Sequence, residues 1–485
     1  LVFLASGGVL VLEVVGLRLV APYVGITLQT SSAVIGVALA AIATGAWTGG
    51  RLADGVDPRR LVPATLVLAG VLTMLTLPVV RVVGPAMQGG DPLNATALAF
   101  IGVFAPSALL AAVTPMVVKI QLRDLGRTGS VVGRLTGIGT LGAIMATFST
   151  GFVLVAALPS SVIVIGLGLL TLLAGLALGL SRGSAWRPPV ALVLLGMLGT
   201  GVTWSVPSPC QSETAYHCAR VVPDPGRPSG RYLVLDTLLH SYVDLSDPTH
   251  LAFPYVQAIA SVADVARPAG QPVRALHIGG GGLTLPRYLA ATRPGSQDRV
   301  LEIDGGVIAL DRARLGLRDL PGLSIEVGDA RVGLASEPAG NRDLVVGDAF
   351  GGVAVPWHLT TREVVSELRR ILRPDGIYAV NLIDFPPDRF ARAEVATIAS
   401  VFPDVALVAD PPALTGDSGG NFVVVASASP LPVAALRARL GQRGSALAVA
   451  AGGAVAGFAG GAAILRDDYA PVDQLLSRPA ARARG

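Results

Sequence analysis

LHIGGGGLTLPRYLAATRPGSQDRVLEID, Leu276–Asp304, decides how the C-terminal half of the chain is read. An apolar run of β type, Val273–Ile278, enters the glycines Gly279–Gly282. A helical stretch follows, then a second apolar run, Arg299–Ile303, carrying Glu302 and ending before Asp304. The pattern is strand, glycine turn, helix, strand. Glycine lets a backbone turn tightly and approach a ligand closely. An acid about 20 residues further on, at the end of the next strand, accepts hydrogen bonds from ribose hydroxyls. A glycine run alone says little in a chain with 59 glycines. The acid at this offset makes a nucleoside-type ligand the expectation.

Working outward, the two halves differ in kind. The chain is 52% hydrophobic and 14% charged, with mean hydropathy +0.62, too apolar for a water-soluble protein of 485 residues. Residues 1–206 are nearly all long apolar runs, 207–270 read as a linker, and 271–485 read as an ordinary α/β domain. The net charge of +4 comes almost wholly from arginine, with one lysine, Lys119. No basic cluster is interleaved with aromatics, so nucleic acid is not an expected partner. The chain opens at Leu1, which suggests a few missing N-terminal residues, and no cleavable signal peptide is expected.

Seven spans are predicted, at about 1–17, 30–50, 61–82, 96–118, 136–157, 160–181 and 189–206, each near the ~20 residues that cross the hydrocarbon layer. The bilayer is therefore an expected partner. The loops after spans two, four and six hold Arg51, Arg59, Arg60, Lys119, Arg123, Arg127, Arg134, Arg182 and Arg187, against Arg18 and Arg81 on the other side. The positive-inside rule then puts the N-terminus in the cytoplasm. An odd span count puts the C-terminal half outside. Glu13 and Arg18 lie in span one, where charges are costly and often functional. Arg18 is expected to snorkel at the span's end, and Glu13 to join an ion pair or a substrate path.

Cys210 and Cys218, the only cysteines, fall in PCQSETAYHC just after span seven. A disulfide in an oxidising compartment is the favoured reading. Two free thiols, or a metal site with His217, are the alternatives. The metal site is poor because only three soft ligands are present; no metal is expected elsewhere. Ala446–Ala463 is apolar but rich in Ala and Gly, and is read as a soluble helix-turn segment.

From Val273 onward strands alternate with helices, the mark of a sheet with crossover connections. Candidate strands are 273–278, 299–303, 323–327, 343–348, 376–382, 404–409 and 421–426. A small hairpin, Arg231–Asp236 with Ser241–Asp244, and a helix over 251–265 precede them. Three acids stand at consecutive strand ends: Glu302, Asp329 in EVGDA, and Asp348 in DLVVGDAF. Each alone reads equally as a helix N-cap or turn residue. Together they favour a common ligand at the carboxyl edge of the sheet.

GGGG, LEID, VGDA, DLVVGDAF and PWHLTTREVVSELRRILRPDGIYAVN together resemble the catalytic domain of spermidine synthases, the polyamine aminopropyltransferases. DDYAPVDQLL is similar to that family's closing motif. LEVVGLRLVAPYVG, GGRLAD and TGIGTLGAIMATFSTGFVL resemble its membrane-fused branch, the fused major-facilitator/spermidine synthase-like proteins. The resemblance implies a polytopic helical membrane domain joined to a Rossmann-like methyltransferase/spermidine synthase domain. It implies transfer of an aminopropyl group from decarboxylated S-adenosylmethionine to an amine, with no permanently bound cofactor. By resemblance Asp348 is the base, Glu302 holds ribose, Asp329 the adenine, and Gly279, Gly280 and Gly281 shape the turn around the sulfonium. His240 stands where a Gln is usual. Soluble relatives form dimers or tetramers, so a homo-oligomer is implied.

The sequence also departs from the family. Gly282 replaces the Asp of GGGDG, Gly351 replaces the second Asp of D-x-x-D, and no Tyr-His-Glu cluster is recognisable around Leu251–Val256. Carboxylates that grip a polyamine are depleted. Two other functions stay open: a methyltransferase-like enzyme using S-adenosylmethionine, and a transporter or sensor whose soluble domain binds a nucleoside or polyamine. Outward placement of the soluble domain favours the last, because adenosyl donors are cytosolic.

Overall fold

In the computed structural model the described residues are 1–88, 91–181 and 190–477. They pack as two compact units, Leu1–Arg220 with Leu235–Thr237, and Val221–Val234 with the chain from Leu238 onward.

Among the described residues of the first unit, six helices are long and apolar enough to cross a membrane: Val2–Val24, Leu28–Gly55, Pro58–Met87, Pro92–Gln121, Leu125–Ala157 and Ser160–Leu180. The expected seventh span is the helix Val190–Ser205, of 16 residues. At 1.5 Å per residue it rises roughly 24 Å, short of a ~30 Å hydrocarbon layer. Arg182 and Arg187 lie outside the described residues. The first helix runs to Val24 and not to residue 17, so Arg18 is interior to it. Arg18 does not simply snorkel: its Nε donates to Ser160 Oγ at 3.0 Å, and its two Nη groups donate to the carbonyls of Thr214 and Ala215. The charge inside this helix is thus matched by protein groups.

The segment holding Thr214 and Ala215 is closed by a Cys210–Cys218 disulfide, which replaces the free-thiol and metal alternatives. Glu213 ties it further, its Oε2 accepting from Ser161 N at 2.9 Å at the start of the Ser160–Leu180 helix. Small residues set the helix spacing: a Cβ on Gly142 would lie 2.3 Å from Phe3 O.

A four-stranded sheet runs in the order β1 (Ser212–Glu213), β2 (Cys218–Asp224), β3 (Arg227–Leu235), β4 (Leu238–Asp244). The predicted hairpin is its last pair. The second unit is built on an eight-stranded sheet. Its strands are β5 (Arg274–Ile278), β6 (Gln297–Glu302), β7 (Leu323–Val327), β8 (Arg342–Gly347), β9 (Leu372–Asp384), β10 (Asp404–Ala409), β11 (Gly420–Ser427) and β12 (Ala448–Ala451). The order is β12-β10-β11-β9-β8-β5-β6-β7. Strands β7, β6, β5, β8 and β9 are parallel neighbours, and β11, β10 and β12 pair antiparallel. All seven candidate strands are present. Ala446–Ala463, expected as helix and turn, also supplies the edge strand β12 before the helix Gly453–Ala459.

The long apolar runs follow from burial on both faces. Leu276, Val345, Tyr378, Val380, Leu407 and Val424 enter one core, with the helices Arg362–Ile371 and Arg389–Ala399. Ala275, Leu344, Val346, Ile377, Ala379 and Val423 enter the other, with the helices Pro254–Ala266 and Thr284–Thr292. The chain moves outward from β5 through β6 to β7, then returns to β8 on the other side of β5. That reversal opens a crevice at the carboxyl ends of β5 and β8, where ligands of such sheets bind.

Candidate active site

The glycine turn begins where β5 ends. Gly279 has φ +95°, and a Cβ there would lie 2.4 Å from Asp348 O. Only glycine permits that approach. Asp348 N donates to Ile278 O at 2.9 Å, which seats Asp348 beside the turn as the first residue after β8. Gly280 N donates to Glu302 Oε2 at 2.6 Å, and Asp304 N donates to Glu302 Oε1 at 2.8 Å. Each oxygen of this buried carboxylate retains capacity for another donor such as a ribose hydroxyl. Glu302 and Asp348 therefore flank one turn from two strands.

Asp329 stands apart. It follows β7, two residues beyond Val327, the register partner of Glu302. Its Oδ1 accepts from Arg331 N at 2.8 Å and caps the helix Ala330–Ala335. Its Oδ2 lies 3.7 Å from His358 Nε2. It is exposed, so one oxygen is committed to the cap and the other faces His358 and solvent. The closing DDYAP motif staples this corner. Asp467 Oδ1 accepts from Arg331 Nη1 at 2.9 Å and from Thr361 Oγ1 at 2.6 Å.

Around Asp348 the structure adds residues that the sequence reading missed. Oδ1 accepts from Asn381 Nδ2 at 3.0 Å, and Tyr255 OH lies 3.4 Å from Oδ2. Asn381 Oδ1 in turn accepts from Asn421 Nδ2 at 3.0 Å. Tyr255 OH is also 3.4 Å from the carbonyl of His240, the position flagged on β4. Burial pushes the Asp348 carboxyl up to about 6, against the hydrogen bonds from Asn381 and Tyr255 and the nearby charge of His277. Burial and the adjacent Asp348 hold the Tyr255 phenol well above its ordinary range. A tyrosine opening the amphipathic helix before β5 was the available signal. The family's three-residue cluster obscured it, because Val256 and Gln257 follow Tyr255 here.

Gly351 sits in a tight turn bridged to Ala354, and Gly282 occupies a left-handed conformation. Among the described residues no group of three or more His, Cys, Asp or Glu is placed to hold a metal ion.

No protein-family model matches the chain. It is 30% identical over 193 residues to the polyamine aminopropyltransferase of Vibrio vulnificus strain CMCP6, a match covering 39% of this chain and 61% of that protein. The chain thus spans about three-fifths of the length of that curated relative. Among solved structures, a probable spermidine synthase from Corynebacterium glutamicum is 29% identical at TM-score 0.50, covering 55% of this chain and 98% of that one. The spermidine synthase of Thermotoga maritima is 22% identical at TM-score 0.36, covering 45% of this chain and 71% of that one. The C-terminal part of the chain is homologous to the spermidine synthases, the polyamine aminopropyltransferases.

Proposed function

We propose that this protein is a membrane-bound aminopropyltransferase that uses decarboxylated S-adenosylmethionine as donor and a small amine as acceptor. The observation that carries the reading is the pairing of Glu302 and Asp348 across one glycine turn, in a domain similar to the C. glutamicum protein over nearly its full length.

The turn itself argues against a phosphate ligand. In phosphate-binding loops the backbone N–H groups are left to cradle the anion. Here Gly280 N and Gly282 N donate to the carboxylates of Glu302 and Asp311. With those donors already engaged and the Glu302 carboxylate against the turn, the site opposes a pyrophosphate and suits a sulfonium cation.

Glu302 takes the ribose, Asp329 offers its solvent-facing oxygen to the adenine amine, and Gly279–Gly281 bound the aminoalkyl end. The acceptor, in its ammonium form, gives a proton to Asp348 and becomes the free amine. Its lone pair then attacks the propyl carbon beside sulfur. The C–S bond breaks, sulfur keeps the electron pair, and neutral methylthioadenosine leaves. A carboxyl near 6 is ionised at neutral pH yet basic enough to accept that proton. Asn381 and Tyr255 fix its orientation. With Gly282 and Gly351 in place of acids, the acceptor carries fewer positive charges near the turn than a polyamine would.

The six long apolar helices support a multi-pass membrane reading. The basic residues of the loops favour a cytoplasmic N-terminus, and the disulfide favours an odd count, which would require the 16-residue helix Val190–Ser205 to cross a locally thin part of the bilayer. The second unit then faces outward, and the transferase reading on that side requires the donor to be supplied across the membrane. A C-terminal reporter fusion tests this side. A purified-protein assay for methylthioadenosine release tests the reaction, and an Asp348→Asn variant that released it at the wild-type rate would exclude Asp348 as base.

A further inference from the structure

We propose that Asp311 and Arg287 are positioning residues that hold the glycine turn in its donor-binding shape by gripping both ends of Gly282. The inference rests on the transferase reading and concerns the same site.

Gly282 (φ 70°, ψ −16°) and Leu283 (φ 52°, ψ 37°) are consecutive left-handed residues. That conformation is unfavourable for a leucine, so other contacts must hold it. Gly282 N donates to Asp311 Oδ2 at 3.1 Å, and Gly282 O accepts from Arg287 Nε at 3.0 Å. Asp311 comes from the helix Gly305–Arg314 and Arg287 from the helix Thr284–Thr292. With Glu302 on Gly280, three side chains from three elements fasten the turn.

A side chain at position 282 would crowd β4 in this geometry. A Cβ there would lie 2.5 Å from Ser241 Oγ and 3.0 Å from Ser241 Cβ on β4. The carboxylate beside Gly282 comes from the helix Gly305–Arg314. Asp311 is fully buried, and among the described residues its Oδ1 has no hydrogen-bond partner; Arg287 Nη2 is likewise buried without one. A core side chain seldom leaves such atoms unmatched. The groups facing Asp311 are Arg287, the Gly282 N–H and Glu302. Burial pushes its carboxyl up to about 8, with Glu302 adding to the rise and Arg287 and the Gly282 N–H opposing it. Ionisation draws Arg287 and the Gly282 N–H closer and adds negative charge beside a cationic donor.

Two readouts on the full chain test this. The first is amide hydrogen exchange of residues 279–283 in the free protein. Asp311→Ala and Arg287→Ala should speed exchange there about tenfold or more, with Arg287→Lys and Asp311→Asn intermediate. The second is calorimetric titration with decarboxylated S-adenosylmethionine. The wild-type Kd should tighten severalfold from pH 7 to 9, with no such trend in Asp311→Asn. Unchanged exchange in the variants, or a pH trend that persists in Asp311→Asn, overturns the proposal. Faster exchange in the variants of a protein that binds no adenosyl compound overturns the transferase reading and leaves the grip on the turn standing.

Discussion

Tyr255 OH lies 3.4 Å from Asp348 Oδ2, and Asn381 Nδ2 lies 3.0 Å from the other oxygen of the same carboxylate. Both contacts favour the ionised acid, and burial opposes it. The balance leaves the carboxyl near 6, so the transfer rate should fall as pH drops through 6. Asp348→Asn should lower turnover by roughly 10²–10⁴-fold, the usual range for a lost general base, with donor affinity nearly unchanged. Rate measurements from pH 5 to 8 check both.

Tyr255→Phe removes a donor that favours ionised Asp348. The acid limb of the pH–rate profile should move to higher pH by up to about one unit, as expected for a single hydrogen bond. A profile that stays in place would mean that Tyr255 acts elsewhere.

Asp348 also links pH to stability. Its folded value, about 6, exceeds the ~3.9 of an unfolded Asp. Its favourable contribution is complete below the unfolded value and is lost as pH rises through 6. Asp348→Asn should therefore raise the thermal unfolding midpoint at pH 7.5 and leave it little changed near pH 4. Scanning calorimetry at the two pH values tests the sign.

The glycines of the turn should differ sharply. Gly279→Ala puts a Cβ 2.4 Å from Asp348 O at φ +95°, and should cost on the order of 1–3 kcal/mol and abolish donor binding. Gly281→Ala meets only Leu233 Cδ2, at 3.4 Å, and should retain binding within a few-fold. Equal losses in both variants would show that the turn is not shaped as described.

Cys210→Ser opens the loop whose carbonyls receive Arg18. Loop-closure entropy for a separation of 8 residues gives a destabilisation of about 2–3 kcal/mol. Thiol labelling of intact membranes should modify neither cysteine until a reductant is added.

The parallel half of the sheet was legible because β5, β6 and β8 are apolar runs buried on both faces, each leading to a glycine or an acid. Glu302 and Asp348 were legible as strand-end residues. Tyr255 and Asn381 were not, because each touches Asp348 from an element remote in the chain. Asp311 was hidden for another reason: one acid inside a helical stretch carries no periodic signal, and only the fold brings it to Gly282. Strand β12 is alanine and valine, which suit a helix equally, and pairing with β10 decides it. The first helix runs past its predicted end at about residue 17, and the partners of Arg18 could not be read ahead because Ser160, Thr214 and Ala215 lie far along the chain. Asp329 shows the limit of such a signal, since the helix-cap reading and the ligand reading were both open at a strand end and only the contacts commit one oxygen to the cap.

The most direct test is calorimetric titration of the purified full chain with decarboxylated S-adenosylmethionine, beside a Glu302→Gln variant. The account predicts saturable one-site binding that weakens at least tenfold in the variant, because a charged acceptor for ribose hydroxyls is lost. Binding of equal strength in both proteins, or no binding of any adenosyl compound to the wild type, would contradict it.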